Sequence, residues 1–400
     1  MPHQRPRQIL QLLHKRLTLL PIVGVLGARQ TGKSTILREL LPHLRKTIYV
    51  TLDRNEIKEQ ARSHPTLFIQ GLEPKKAESV CTVCIDEVQK APVLFDTLKA
   101  EVDERRRPGR FALSGSTEFS KKTGIHDALT GRIALLRVYP LCQSEINQKR
   151  ARYPLVDPIH RAALVGRQSL YETTQWLERG GMPGIFAVRD STSRQSLYES
   201  WIETTCTRDL ASFNIPRFNP GLARRILMET ARAERPERSE IARAVGRTPR
   251  QIEAYFEAFK ALFVLYEIEP YKTSVGKPQF FIFDAGIAHS MGASQERCLQ
   301  IWFLNECFSQ FSHSGEMSPD IFFYRTSRDS TIDFIVEAKR CRYAVKLSQN
   351  ETENTYSLRA VEAFRKKHPR MAVIIAAPCL HILLQSNDGM TKTIPWSALT

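Results

Sequence analysis

Between residues 21 and 140 the chain alternates short apolar runs with longer segments of helical periodicity. The runs fall at 21–26, 47–52, 81–85, 110–113 and 133–138, and most are continuous rather than alternating in polarity. Continuous runs are what strands covered on both faces require. Their alternation with helices predicts an α/β domain built on a parallel sheet. From 143 to about 168 the longer apolar runs stop and Pro154, Pro158 and several arginines appear, a composition that suits a connection between domains. A mostly helical stretch follows, interrupted by Arg179-Gly180-Gly181-Met182-Pro183-Gly184, where glycine and proline together stop a helix and start a turn. Beyond Lys272 the pattern changes to short β-rich runs such as 279–283 and 332–336, with no repeat of fixed period. The expected division is 1–148, 149–271 and 272–400.

The first run, with Ile22, Val23, Val25 and Leu26, leads into Gly27-Ala28-Arg29-Gln30-Thr31-Gly32-Lys33-Ser34 and then into a helical pattern of Thr35, Ile36, Leu37, Leu40 and Leu41. A G-x-x-x-x-G-K-S sequence between strand and helix predicts a loop that holds the phosphates of a Mg-nucleotide. Gly27 and Gly32 let the backbone turn tightly so that its N–H groups face the anion, and the helix dipole adds favourable potential. Lys33 is expected to bridge the β- and γ-phosphates and the Ser34 hydroxyl to ligate Mg²⁺, with residues from Gly27 to Thr35 forming the binding set.

The third run, Thr82-Val83-Cys84-Ile85, ends in Asp86-Glu87. Asp86 is expected to hold Mg²⁺ through water, and Glu87 to orient or deprotonate the attacking water, a pairing that suits hydrolysis of ATP better than passive binding. The fourth run ends in Ser114-Gly115-Ser116, hydroxyls at the strand end where open α/β sheets place ligands, and Ser116 is the candidate sensor. Arg132, in Leu129-Thr130-Gly131-Arg132, is a candidate to reach the γ-phosphate in its own or a neighbouring subunit.

Composition adds limits. A chain of 400 residues exceeds what one core usually supports, and 42% apolar with 25% charged residues is globular. The longest apolar run, near 372–378, has strand length, so no membrane span is expected, and the basic N-terminus lacks the apolar stretch of a signal peptide. Eight scattered cysteines fit a reducing, cytoplasmic setting. Cys81 and Cys84 lie in a strand-like run whose i and i+3 side chains face opposite ways, which argues against a zinc or redox pair. The net charge of +16 favours an anionic partner, nucleic acid first, although ATPases with no such partner are basic too.

These residues together resemble a bacterial and archaeal family of AAA-like P-loop ATPases that carry a C-terminal domain of uncharacterised function. The similarity spans Gly27 to Ser34, Ile85-Asp86-Glu87-Val88-Gln89, Leu113-Ser114-Gly115-Ser116, Leu129-Thr130-Gly131-Arg132, Gly180-Gly181-Met182-Pro183 and Arg208-Asp209. It implies an ASCE-type P-loop sheet, in which an extra strand separates the P-loop strand from the Asp86 strand.

Downstream, Ser239 to Phe263 reads as two helices around a turn at Gly246, with Thr248 and Gln251 forming a capping box and Pro249 at the first helical position. Ile252, Tyr255, Phe256, Phe259 and Phe263 are the expected buried face, which leaves Arg247, Arg250 and Gln251 exposed where a helix-turn-helix presents its reading turn to DNA. A winged-helix module used for packing is the alternative. In the resembling family the C-terminal region looks like a restriction-endonuclease core, which implies Glu306 as the upstream acid, Asp333, and a Glu-x-Lys pair that reads Ala344-Val345-Lys346 here. Without that acid a two-carboxylate metal site loses a ligand, and strand alternation would aim an acid at 344 toward Asp333. The literal Glu337-Ala338-Lys339 ends the Asp333 strand itself. Three functions stay open: a P-loop ATPase whose C-terminal half engages DNA, another protein or a second copy of itself, a nucleic-acid-binding regulatory module with slow turnover, and a metal-dependent nuclease.

Overall fold

Strands covered on both faces have no solvent side, and β1 (Ile22–Leu26), β3 (Thr82–Asp86) and β4 (Phe111–Gly115) are buried along their whole length in the computed structural model. With β2 (Thr47–Thr51) and β5 (Ile133–Arg137) they form a five-stranded parallel sheet in the order β2-β3-β4-β1-β5. Each strand starts and stops within two residues of its predicted run. The structure describes residues 5–72, 81–118, 129, 131–150, 152–158, 170–349, 355–378, 384–385 and 389–400. Thr130 and part of the expected connection, 151 and 159–168, lie outside them.

The chain divides into two compact units, one of Pro6–Tyr139 with Ala261–Phe263, the other of Met1–Arg5, Pro140–Lys260 and Val264–Thr400. In the first, the helix Ile9–Leu17 places Ile9, Leu13 and Leu17, spaced four apart, on one face. They pack with Val23, Val25, Ile36, Leu37, Leu41, Cys84, Ala112, Leu136 and Val138. β4 lies between β1 and β3, so its carboxyl end separates the glycine-rich loop after β1 from the acids at the end of β3. Phe263 belongs to this unit, beyond the end of the helix Pro249–Ala261, with the Arg137 guanidinium 4.8 Å from its ring centroid.

The second unit carries an eight-stranded mixed sheet in the order β12-β13-β11-β10-β9-β8-β6-β7. Its strands are β6 (Leu265–Pro270), β7 (Gln279–Ile282), β8 (Asp320–Arg325), β9 (Thr331–Glu337), β10 (Arg342–Leu347), β11 (Ala372–Ala377), β12 (Leu384–Gln385) and β13 (Thr391–Pro395). β6 pairs with β8 in parallel, so the sheet runs across the boundary expected at 271/272: main-chain bonding between distant segments is not visible in local composition. The helix Gln295–Ser314 stacks Phe303 on Phe334 at 5.3 Å. On the other face Val361 and Phe364 of the helix Thr355–Lys367 join Ile332, Ile335, Ala344, Val373 and Ile375.

Two sequence features gain a structural reason in this unit. Gly181 donates its N–H to Asp284 at 2.7 Å, and a Cβ on it would stand 2.4 Å from the Leu141 carbonyl oxygen. Gly180, at φ +59°, would put a Cβ 2.4 Å from Asp284, so the Gly-Gly turn exists for close approach. Asp284 caps the helix Ala285–Ser290 through the Ile287 N–H at 3.0 Å, and burial pushes its carboxyl up to about 6. The helices Arg238–Ala244 and Pro249–Ala261 flank the turn at Gly246, and Thr248 and Gln251 exchange the two capping-box bonds at 2.9 and 3.4 Å.

Candidate nucleotide site

β1 and the start of the helix Lys33–Thr35 fix the two ends of the glycine-rich loop. A Cβ on Gly27 would meet the Val138 carbonyl oxygen at 2.3 Å, and Gly32 sits at φ +94°, so both positions need glycine. Lys33 is 4% exposed and curls back over the loop, its Nζ donating to the carbonyls of Gly27 at 2.9 Å and Ala28 at 2.8 Å. Those carbonyls hold the ammonium where phosphate oxygens would compete for it. Thr31 Oγ1 closes the loop on Ala28 O at 2.9 Å. The buried Arg7 guanidinium ties the loop to the exit of β5, donating to Thr31 O at 2.5 Å and Tyr139 O at 2.8 Å. Ala28 is buried, Arg29, Ser34 and Thr35 half-buried, and Gln30 exposed in the left-handed region.

Asp86 ends β3 at 2% exposure. One carboxylate oxygen accepts from Ser114 Oγ on β4 and the other from the Tyr49 hydroxyl on β2 at 2.6 Å. Glu87 follows at φ 57° and ψ 41°, a left-handed conformation uncommon for a non-glycine residue and often kept at functional sites. Its N–H donates to Ser114 Oγ at 3.2 Å, while its Oε2 accepts from Gln89 Nε2 at 2.6 Å and Ser116 Oγ at 3.2 Å. Gln89 also reaches Ser116 at 3.1 Å. The half-buried Glu87 carboxylate is thus aimed from two sides at the end of β4. Hard oxygen donors at Ser34 and Asp86 are the donor set that Mg²⁺ prefers.

Arg132 lies elsewhere. Its carbonyl accepts from Ile22 N at 3.2 Å, beside the amino end of β1, whereas the loop leaves the carboxyl end five residues, roughly 16 Å, away. Its guanidinium makes a two-point pair with Asp103 at 2.6 and 2.8 Å. The expectation that Arg132 reaches the γ-phosphate of its own subunit is therefore corrected, and acting on a neighbour would require breaking the Asp103 pair.

The expected nuclease-like set is also rearranged. Glu306 is buried and accepts from Gln143 N at 2.6 Å and Gln310 Nε2 at 3.4 Å, and burial pushes its carboxyl up to about 8. It makes no bond to Asp333. Asp333 instead accepts from Gln300 at 2.9 Å, Leu347 N at 2.8 Å and Lys346 Nζ at 3.1 Å. The acid on that side is Glu296, held protonated to higher pH by burial and by the nearby Asp333 charge, and it shares a cavity of about 260 Å³ with Gln300, Asp333 and Arg325. Glu337 pairs with Arg342 at 2.6 Å.

Ala344 does not face Asp333. Tyr324 pairs with Ile332 and Phe322 with Ile335, so Asp333 and Phe334 together oppose Phe323, a bulge that breaks the alternation. Ala344, opposite Ile335, lies in the apolar cluster under the helix Thr355–Lys367. Arg247 and Arg250 are exposed as expected, but Gln251 has its amide oxygen committed to the Thr248 N–H. Sequence reasoning missed Tyr49, Ser114 as the Asp86 partner, Arg7 and Glu296; Gln89 stood in a quoted motif without a role.

Sheet order, loop and acid pair define an α/β P-loop NTPase fold in the N-terminal unit. Residues 20–147 match the model of a family described as AAA domain, and residues 171–297 match a domain of unknown function. Uncharacterized proteins of Mycobacterium bovis and Mycobacterium tuberculosis are each 23% identical over 353 residues, 85% of this chain and 73% of theirs. Among solved structures, the Walker-type ATPase of Pyrococcus abyssi is similar at 17% identity over 71% of this chain and 94% of that one, with a TM-score of 0.42. The replication initiator DnaA bound to AMPPCP and single-stranded DNA is similar at 13% identity over 63% of this chain and 85% of that one, with a TM-score of 0.27. Among the described residues no helix is long and apolar enough to cross a membrane.

The bulge changes what a restored acid would do. Ala344→Glu should place a carboxylate among Ile335, Val361 and Phe364 and cost about 3 kcal/mol of stability in urea unfolding, with no metal-dependent DNA cutting gained. Wild-type stability together with new Mn²⁺-dependent plasmid nicking would contradict this placement.

Proposed function

We propose that the chain binds Mg-ATP on the Gly27–Thr35 loop and hydrolyses it. The observation that carries this reading is the Asp86-Glu87 pair, fixed at the end of β3 by Ser114, Gln89 and Ser116, one strand away from the phosphate loop. Lys33 exchanges its two loop carbonyls for phosphate oxygens, a substitution of one set of acceptors for another. Ser34 and Asp86 would hold Mg²⁺, which when bound neutralises charge on the phosphate oxygens. Glu87 orients a water toward the γ-phosphorus and accepts its proton as the new O–P bond forms and the bond to the leaving ADP oxygen breaks. Gln89 and Ser116 hold that carboxylate in place, and Ser116 stands where it can sense the γ-phosphate. Seven described free thiols, six of them buried, support a cytoplasmic setting.

The order helix Pro220–Arg232, helix Arg238–Ala244, helix Pro249–Ala261 and antiparallel pair β6-β7, with Glu237 bridging to Gln279, supports a winged helix that starts in the 149–271 segment and takes its last strand from beyond it. Exposed Arg247 and Arg250 at the start of its last helix favour a second reading, DNA contact, in which Gln251 would take part only by giving up its cap. The Asp333–Lys346 pair with Glu296 supports a catalytically degenerate nuclease-like core in 272–400.

Replacing Glu87 by Gln should preserve nucleotide affinity and reduce steady-state phosphate release at least about 100-fold, since it keeps the shape and removes the base. Wild-type turnover in that variant would assign the water to another residue. For the second reading, Arg247→Ala with Arg250→Ala should weaken duplex binding and flatten the salt dependence of log K by about one unit per lost phosphate contact. Absence of binding by the unmodified chain at low salt would leave the winged helix as a packing module.

A further inference from the structure

Tyr49 is an interior residue of the strand β2, its ring packed against the core that includes Val23, Val25 and Cys84. Thr51 is the register partner of Asp86, so Tyr49, two residues earlier, shares the Asp86 face of the sheet. Its hydroxyl donates to Asp86 Oδ2 at 2.6 Å. One phenol therefore holds the carboxylate that the ATP reading assigns to magnesium.

The direction of each bond follows from what each group can donate. A carboxylate only accepts, and a phenol has a single proton, so the Tyr49 proton is spent on Asp86. Ser114 occupies the second Asp86 oxygen, so the carboxylate cannot rotate away from this arrangement without losing two bonds.

We propose that Tyr49 is a positioning residue of the magnesium site: its hydroxyl donates to one Asp86 oxygen while Ser114 holds the other, which fixes the carboxylate in the orientation it presents to the metal. This rests on the ATP-binding reading. Outer partners that orient ligands of a metal typically contribute about 10–100-fold to its affinity.

The test is titration of a fluorescent ADP analogue with wild type and Tyr49→Phe, first in EDTA and then across a Mg²⁺ series. Phenylalanine keeps the ring in the core and removes the hydrogen bond to Asp86. The expected result is unchanged affinity in EDTA, because the loop and Lys33 are untouched, with the Mg²⁺ midpoint for tightening raised about 10-fold or more. An identical Mg²⁺ midpoint would overturn the proposal, as would a lower one, which would make Tyr49 a competitor of the metal. Loss of affinity in EDTA as well would give it a structural role only and likewise overturn it. A wild type that binds no nucleotide in either condition would remove the ATP reading itself, an outcome distinct from a magnesium response that Tyr49→Phe leaves intact.

Discussion

A carboxylate enclosed at the end of a central strand needs hydrogen-bond donors, and Asp86 finds them on the strands flanking β3. Ser114 comes from β4 and Tyr49 from β2. This requirement ties the site to the sheet order, because donors can arrive from both sides only if β3 is an interior strand. It also links the acid to the phosphate loop through β4, whose Gly115 carbonyl accepts from Gly27 N at 3.3 Å. The same serine that holds Asp86 accepts the Glu87 N–H, so the left-handed turn that aims Glu87 depends on the same anchor.

The loop is set up by similar economies. Lys33 satisfies its charge on the carbonyls it would leave when phosphate arrives, and Arg7 fixes the loop from a segment twenty-four residues upstream of Thr31. Sheet, loop and acids thus form one hydrogen-bonded frame around the Lys33 side chain. In the second unit the buried acids serve packing and capping: Asp284 and Glu306 each accept main-chain N–H groups, and each titrates well above an ordinary carboxylate.

What could be read from the sequence was what depends on local pattern. Continuous apolar runs located all five parallel strands to within two residues, and the Gly27–Ser34 loop, the Asp86-Glu87 pair and the Thr248–Gln251 cap needed only near neighbours. Failures arose where the third dimension decides. Arg132 immediately precedes the fifth run, which in a parallel sheet already puts it at the amino end, and only its pairing with Asp103 was hidden. Glu296 and Glu306 share one twenty-residue helix, about 15 Å apart along its axis, and only the packing of that helix selects the one beside Asp333. Alternation aimed Ala344 at Asp333, and the bulge at Asp333 and Phe334 undid the count. Tyr49 gave no signal, because its chemistry depends on the pairing of β2 with β3, which brings it to an acid 37 residues further along the chain.

The whole arrangement rests on a nucleotide occupying the Gly27–Thr35 loop, and Lys33 is the group whose charge has no substitute there. The most direct measurement is equilibrium titration of wild type and Lys33→Ala with a fluorescent ATP analogue in Mg²⁺. Saturable binding by the wild type and a loss of at least about 100-fold in the variant is the expected result, because a buried ammonium paired with phosphate is removed. Equal affinity in the two proteins would contradict the assignment of this loop as the phosphate site.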